Sequence, residues 1–159
     1  MQDDHQSRAD AQTSTSMRAR YVVIVGFGLS GRTTANTVED HGIDYAVIET
    51  NPDTVSRCTK GGLKIILGDA RDPEVLRQAL IERATDIAVT VPSDEITLDV
   101  VELARQLNPT ARIVARCTFV SGGMEAMRRG ADDVVIAEQV VATQFGAVMS
   151  AALEQPRSE

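Results

Sequence analysis

Six short apolar runs recur between Tyr21 and Ile136, and a helix-like stretch separates each from the next. The runs are Tyr21–Gly26, Tyr45–Glu49, Lys64–Leu67, Ile87–Val91, Ile113–Arg116 and Asp133–Ile136. Most are nearly continuous Val, Ile and Ala, without polar alternation. That pattern is expected of strands covered on both faces. The stretches between them carry helix signals. "DPEVLRQALIERA" has Asp72 as an N-cap, Pro73 at the first helical position and apolar residues at Val75, Leu76, Ala79 and Leu80. "SDEITLDVVELARQLN" places Thr97, Val100, Val101, Ala104 and Leu107 on one helical face. Shorter helices fit Ser30–Asp40, Pro52–Lys60 and Gly123–Arg129. Strict alternation predicts an α/β fold: a Rossmann-like, doubly wound parallel six-stranded sheet, with strand order 3-2-1-4-5-6. Ligands of such a sheet bind at the carboxyl ends of its strands, beside the point where strand order reverses.

Both ends of the chain differ from this middle. Residues 1–20 are polar and aperiodic, and read as a disordered arm or linker. Residues 21–137 hold the alternating units of a nucleotide-binding domain. Residues 138–159 carry one more helix and a tail. "EQVVATQFGAVMSAAL" sets Val141, Phe145, Val148 and Ala152 on one face, with Met149 and Leu153 beside it. A helix exposing that stripe alone is an aggregation liability, so the expectation is a homodimer that buries it.

Composition narrows the partners. The net charge of −7 is the wrong sign for a general nucleic-acid binder. Only 3% of residues are aromatic, too few for a platform that stacks bases. Cys58 and Cys117 are the only cysteines; they fit no metal spacing and read as free thiols in a reducing cytosol. No apolar run reaches the roughly 18–20 residues that span a bilayer. No secretory signal opens the sequence, so a cytoplasmic location is expected.

"VGFGLSG" follows the first apolar run and opens the first helix, which is the context that gives a G-x-G-x-x-G spacing meaning. Gly26 allows the tight turn, Gly28 lets a pyrophosphate approach the backbone, and Gly31 lets the helix pack on the strand. The helix start supplies unpaired N–H donors for phosphate. Phe27, Leu29 and Ser30 complete the loop. Glu49 ends the second run, eighteen residues after Gly31. A carboxylate there accepts hydrogen bonds from ribose hydroxyls and repels a 2′-phosphate, which favours NAD(H) or an adenine nucleotide over NADP(H). Asn51 and Asp53 either cap the next helix or touch the ligand. Gly68, Asp69 and Ala70 lie at the end of the third run, on the adenine side of such a cleft. There Asp69 is placed to accept the exocyclic amine and Ala70 to lie against the ring. Arg116 ends the fifth run, where an arginine reaches a phosphate or pairs with a carboxylate of its own or a second subunit.

Reaction chemistry is missing. A dehydrogenase needs a proton donor near the hydride centre. His5 sits in the polar arm; His41, Tyr21 and Tyr45 fall at the opposite, amino edge of the sheet. There is no Ser-His-Asp arrangement, metal cluster or Walker lysine, and no second domain of useful size. The loop therefore reads as part of a sensor rather than an enzyme.

The motifs together resemble a known family. "VVIVGFGLSGRTTANTVEDHGIDYAVIETNPD", "LGDARDPEVLRQALIERA", "LARQLNPTARIVARC" and "GADDVVIAEQVVA" are similar to the nucleotide-binding lobe of regulators of potassium conductance. These are the RCK or KTN domains of potassium channels, uptake systems and cation/proton antiporters. The last segment is most similar to the cytosolic tails of potassium-efflux-type antiporters. The resemblance covers about residues 20–150. It implies a ligand among NAD(H), AMP, ADP and ATP, and dimers or larger rings. It also implies a membrane channel or antiporter as the gated partner, at the inner face of the membrane. It places Gly26, Gly28, Gly31, Glu49, Asp69 and Arg116 at the ligand. Many members carry a basic residue where this chain has Leu29, so one phosphate contact is lost or falls to Arg32. Two other readings remain beside a gating domain: a small NAD-dependent oxidoreductase, and a nucleotide-binding interaction domain unrelated to ion transport.

Overall fold

β1 (Tyr21–Val25) is buried along its whole length, which only a central strand allows. The computed structural model describes residues 19–154. The polar arm, but for its last two residues, and the final five residues of the tail lie outside that range. Around β1 the sheet has the order β3-β2-β1-β4-β5-β6 and is parallel throughout. Its other strands are β2 (Asp44–Glu49), β3 (Ile65–Leu67), β4 (Asp86–Val89), β5 (Arg112–Cys117) and β6 (Asp133–Ile136). The connecting helices are α1 (Leu29–Asp40), α2 (Pro52–Lys60), α3 (Pro73–Gln78), α4 (Asp94–Leu107) and α5 (Val120–Arg129); α6 (Ala137–Glu154) follows β6 without a linker. Among the described residues, no helix is long and apolar enough to cross a membrane.

Side chains alternate across the strands and divide the core in two. Val23, Val25, Ala46, Ile48, Ile87, Val89, Ile113 and Ala115 meet Leu76 of α3, Val100, Val101 and Ala104 of α4, and Ala126 of α5. On the opposite face Val22, Ile24 and Val47 pack against Ala35 and Val38 of α1. Each fully buried Val or Ile of this kind contributes about 1.5–3 kcal/mol.

Three features depart from the sequence reading. The apolar runs imply two covered faces, but on the α1 side β4 is covered only in part and β5 and β6 lie open. Ala88, Val114 and the half-exposed Val135 (48% exposed) look into an open groove of about 710 Å3 on the α1 side. The reason is topological: right-handed crossovers put α1 and α2 over β1–β3 and send α3, α4 and α5 to the other face. The segment after Asp72 is not one helix either. α3 stops at Gln78, Leu80 takes a left-handed conformation (φ 60°), and a 3₁₀ turn over Ile81–Arg83 drives Ile81 into the core. Asn108 holds that turn, its side-chain amide donating to Ile81 O at 2.8 Å and Ala84 O at 2.9 Å. Finally, α5 starts at Val120, three residues before the expected Gly123. The carboxylate of Asp94 on α4 accepts from the backbone N–H of Thr118 (2.6 Å) and Phe119 (3.4 Å), and so holds the segment that leads into α5, which has no side-chain cap of its own.

α6 buries none of its residues. It touches the sheet at its root, beside β6, and there Ala137, Val140 and Val141 form one wall of the open groove.

Candidate functional site

The start of α1 is built to come close to β1. Gly26 has φ +90°, a value that favours glycine, and its N–H donates to Ile48 O at 2.8 Å. A Cβ on Gly31 would lie 2.0 Å from Gly26 O, so helix and strand touch only because position 31 has no side chain. Gly28 is different. Its φ of −70° suits any residue, and a Cβ there would meet nothing within 4 Å. Packing and backbone leave position 28 free, and its open side is the side a phosphate would approach.

Asn51 caps α2 by accepting from the N–H of Asp53 and Thr54; Asp72 caps α3 and Ser93 caps α4. α1 and α5 have no side-chain cap, and the Asp94 carboxylate stands against the segment that leads into α5. The first N–H groups of α1 and the positive end of its dipole are open to an anion. Asn51 therefore serves as a cap in this structure, and the carboxylate of Asp53, beside it, lies in the first turn of α2.

Glu49 ties the glycine loop to the end of β2. One carboxylate oxygen accepts from Phe27 N at 2.8 Å; the other accepts from Thr50 N (2.8 Å) and Asn51 N (2.9 Å). Burial pushes its pKa up, but the N–H groups of Asn51, Phe27 and Thr50 outweigh that and hold it below the ordinary carboxylate value. The oxygen facing Phe27 keeps a lone pair for a further donor. Gly68 joins the same cluster, because its N–H donates to Glu49 O at 3.0 Å. A side chain at Gly68 would strike Val75, with its Cβ 2.7 Å from a methyl. Ala70 is buried beneath the loop. The Asp69 carboxylate is held by the Arg71 guanidinium at 2.7 Å, and that hydrogen bond above all keeps its pKa low. Asp69 keeps its charge, but its oxygens already have a partner.

Arg116 points to the other side of the loop. It is half-buried at the end of β5 and lines the open groove with Leu29, Ser30 and Thr90. Its guanidinium lies 3.4 Å from Val91 O and has no carboxylate in ion-pair range among the described residues. The glycine loop, Glu49 and Gly68 thus form one hydrogen-bonded cluster, and Arg116 stands across α1 from them.

Two residues of this corner escaped sequence reasoning. The Thr90 hydroxyl donates to Val25 O at 2.9 Å and lies 3.1 Å from Gly26 O, which fixes the turn from beneath. Asp94 sets a carboxylate against the segment that leads into α5. Thr90 stands 65 positions from Val25, and no local pattern marks it.

A parallel sheet of this order with an uncapped, glycine-bounded helix start at its carboxyl edge defines a Rossmann-type α/β domain. The family profile of the TrkA-N domain matches residues 22–137, and the chain belongs to that family. YbaL of Escherichia coli strain K12, named for cation/proton antiport, is 29% identical over 122 residues. That stretch covers 77% of this chain and 22% of YbaL, so the chain spans about a fifth of this relative's length. The crystal structure of the TrkA-N domain of E. coli YbaL superposes with a TM-score of 0.78 at 27% identity, covering 82% of this chain and 97% of that one. The RCK domain of GsuK superposes with a TM-score of 0.76 at 26% identity, covering 86% of this chain and 29% of that one. GsuK has been solved bound to ADP and, as the channel, bound to NAD.

Proposed function

We propose that this chain is a nucleotide-sensing regulatory domain of a potassium channel or cation/proton antiporter. It binds NAD(H) or an adenine nucleotide at the start of α1 and passes its state to a membrane transport partner from the cytoplasmic side. The observation that carries the reading is the uncapped α1, bounded by glycines whose geometry leaves room on the ligand side alone. Glu49 and the Gly68–Ala70 loop would receive the ribose and adenine, and Arg116 a phosphate. GsuK, with its NAD and ADP complexes, and YbaL supply the transport context.

A sensor fits better than an oxidoreductase. The Tyr21 hydroxyl is buried and donates to Ala79 O, and His41 ends α1 at the amino edge. Neither group is near the glycine loop.

The reading includes a second copy of the chain. α6 exposes Val141, Phe145, Val148 and Leu153, and the open groove beside its root is apolar. Residues 21–137 would form the nucleotide lobe and residues 138–159 the dimer helix with its tail. Each α6 would cover apolar surface of the other protomer.

The test is a thermal-shift panel of NAD+, NADH, AMP, ADP and ATP on the purified chain. A hundredfold excess over Kd stabilises by about 2.7 kcal/mol. For a chain of this size that is a rise of roughly 5–11 °C. No shift with any of the five would refute the nucleotide reading.

A further inference from the structure

We propose that the site reads the base of its nucleotide by the flat face, stacked on the guanidinium of Arg71, with Asp69 as the positioning residue that holds that guanidinium. Purine nucleotides then bind whether or not the base carries an exocyclic amine. This rests on the nucleotide reading above and adds a mode of base recognition to it.

Asp69 has no lone pair to spare. A carboxylate offers about four acceptor positions. Oδ1 accepts from the Arg71 backbone N–H at 2.9 Å and from its Nε at 3.1 Å. Oδ2 accepts from the same Nε at 3.1 Å and from Nη2 at 2.7 Å. The exocyclic amine expected at Asp69 therefore finds its acceptor taken. The same contacts fix the other partner. Nε and Nη2, both held by one carboxylate, set the plane of the guanidinium. Its remaining edge, with Nη1, meets no acceptor among the described residues, and the side chain is 43% exposed.

The surroundings of Arg71 suit a ring rather than a phosphate. Besides Asp69, it lies in the field of Glu95 and Asp99, on the first two turns of α4. One positive charge among three negative ones repels a further anion. The base is the uncharged part of a nucleotide, and a guanidinium plane stacks on the face of an aromatic ring. No side-chain ring of the protein stands at the 68–72 loop to take that part. Phe27 packs with Val22 and Ile24 on the α1 face, Tyr21 and Tyr45 lie at the starts of β1 and β2, and Phe119 and Phe145 lie beyond β5. Among the described residues the cations set over a ring are Lys64 and Arg83, both on Tyr21, so the faces of the Arg71 guanidinium carry no ring of this chain.

The experiment is isothermal titration of the full chain, Arg71→Ala, Arg71→Lys and Asp69→Asn with AMP, ADP and NAD+. Each ligand is paired with its hypoxanthine counterpart, which has a carbonyl oxygen in place of the amine. The parent is expected to bind the members of a pair within about threefold of each other. Arg71→Ala should weaken both members alike, by about two- to fivefold, the range for an exposed cation on a ring face. Arg71→Lys should lose nearly as much, because it keeps the charge and not the plane. Asp69→Asn should weaken both members by releasing the guanidinium. Ribose 5-phosphate, which has no base, should bind all four proteins within about twofold. Each variant should melt within about 4 °C of the parent, since the ion pair it alters is exposed. A hypoxanthine ligand at least about tenfold weaker than its partner, with AMP tightened by Arg71→Ala, would show that Asp69 reads the amine and would overturn the proposal. Undiminished binding by Arg71→Ala or Arg71→Lys would overturn the stacking, and undiminished binding by Asp69→Asn the positioning role. A loss for ribose 5-phosphate as large as that for AMP would also overturn it, because the base would not be what Arg71 meets. If the parent binds none of AMP, ADP and NAD+, the nucleotide reading itself fails, and the base recognition falls with it.

Discussion

Replacing Gly28 with Val should abolish nucleotide binding and leave the fold in place. The two effects separate because of how position 28 is built. A Cβ there touches nothing within 4 Å, and the backbone already has φ −70°. The folded state loses no packing. It loses a favourable N-cap residue, at a cost of about 1 kcal/mol, or roughly 2–4 °C in Tm. Binding meets two isopropyl methyls in the space where a phosphate would approach the N–H groups of α1. Position 31 supplies the opposite control. A Cβ at Gly31 would lie 2.0 Å from Gly26 O, so Gly31→Ala must push helix from strand. Overpacking of that kind costs about 1–3 kcal/mol. The assay is Tm with and without saturating ligand for all three proteins. Gly28→Val should melt within about 4 °C of the parent and show no ligand shift. Gly31→Ala should melt lower than Gly28→Val in the absence of ligand. A folded Gly28→Val protein with undiminished affinity would refute the placement of the phosphate.

Three further outcomes follow from the same geometry. NADP(H) should bind at least about tenfold more weakly than NAD(H), some 1.4 kcal/mol, because a 2′-phosphate would approach the Glu49 carboxylate; titration of both in one buffer decides it. Phe145→Asp should convert a dimer to monomers by light scattering without lowering protomer helicity. Phe145 is 68% exposed within the protomer, but a carboxylate buried unpaired in a dimer costs several kcal/mol. The pKa of Glu49 is lowered on folding, so its stabilising share is complete above the unfolded value near 4.5 and is lost as pH falls through the lower folded value. The Tm difference between the parent and Glu49→Gln should therefore be constant from pH 7 to about 5.5 and shrink below about 4.5. A difference that held constant down to pH 3 would mean that the Phe27 contact does not depend on the charge.

What could be read from the sequence was what neighbouring residues decide together. Apolar runs and their spacing led to six parallel strands in the observed order, since right-handed crossovers leave few alternatives. Asp72 was recognisable as a cap, and Asn51 as a candidate, because each stands directly before its helix. The contact of Asp94 was not, because its partner Thr118 stands 24 residues further on. The break at Leu80 was hidden for a similar reason. Its cause is Asn108, which reaches back to Ile81 from the end of another helix. The open face of β5 and β6 was invisible because an apolar run reads alike whether its second face meets a helix of its own chain or none. At the site, the glycines and Glu49 announced themselves by spacing. That Glu49 also holds the Phe27 N–H depends on the register between β1 and β2, which no single stretch of sequence contains.

The direct junction of β6 with α6 has a mechanical consequence. Ile136 is the last strand residue and Ala137 the first helical one, so no hinge separates the sheet edge from the helix. Eighteen helical residues extend about 27 Å at 1.5 Å per residue. A stiff rod of that length, clamped at one end, multiplies small rotations. A turn of about 10° at β6 moves the far tip by roughly 5 Å, close to the pitch of one helical turn. β6 lies next to β5, the strand that carries Arg116. A slight tilt at the edge of the sheet is thereby converted into a displacement large enough to move a neighbouring helix by a whole ridge of side chains.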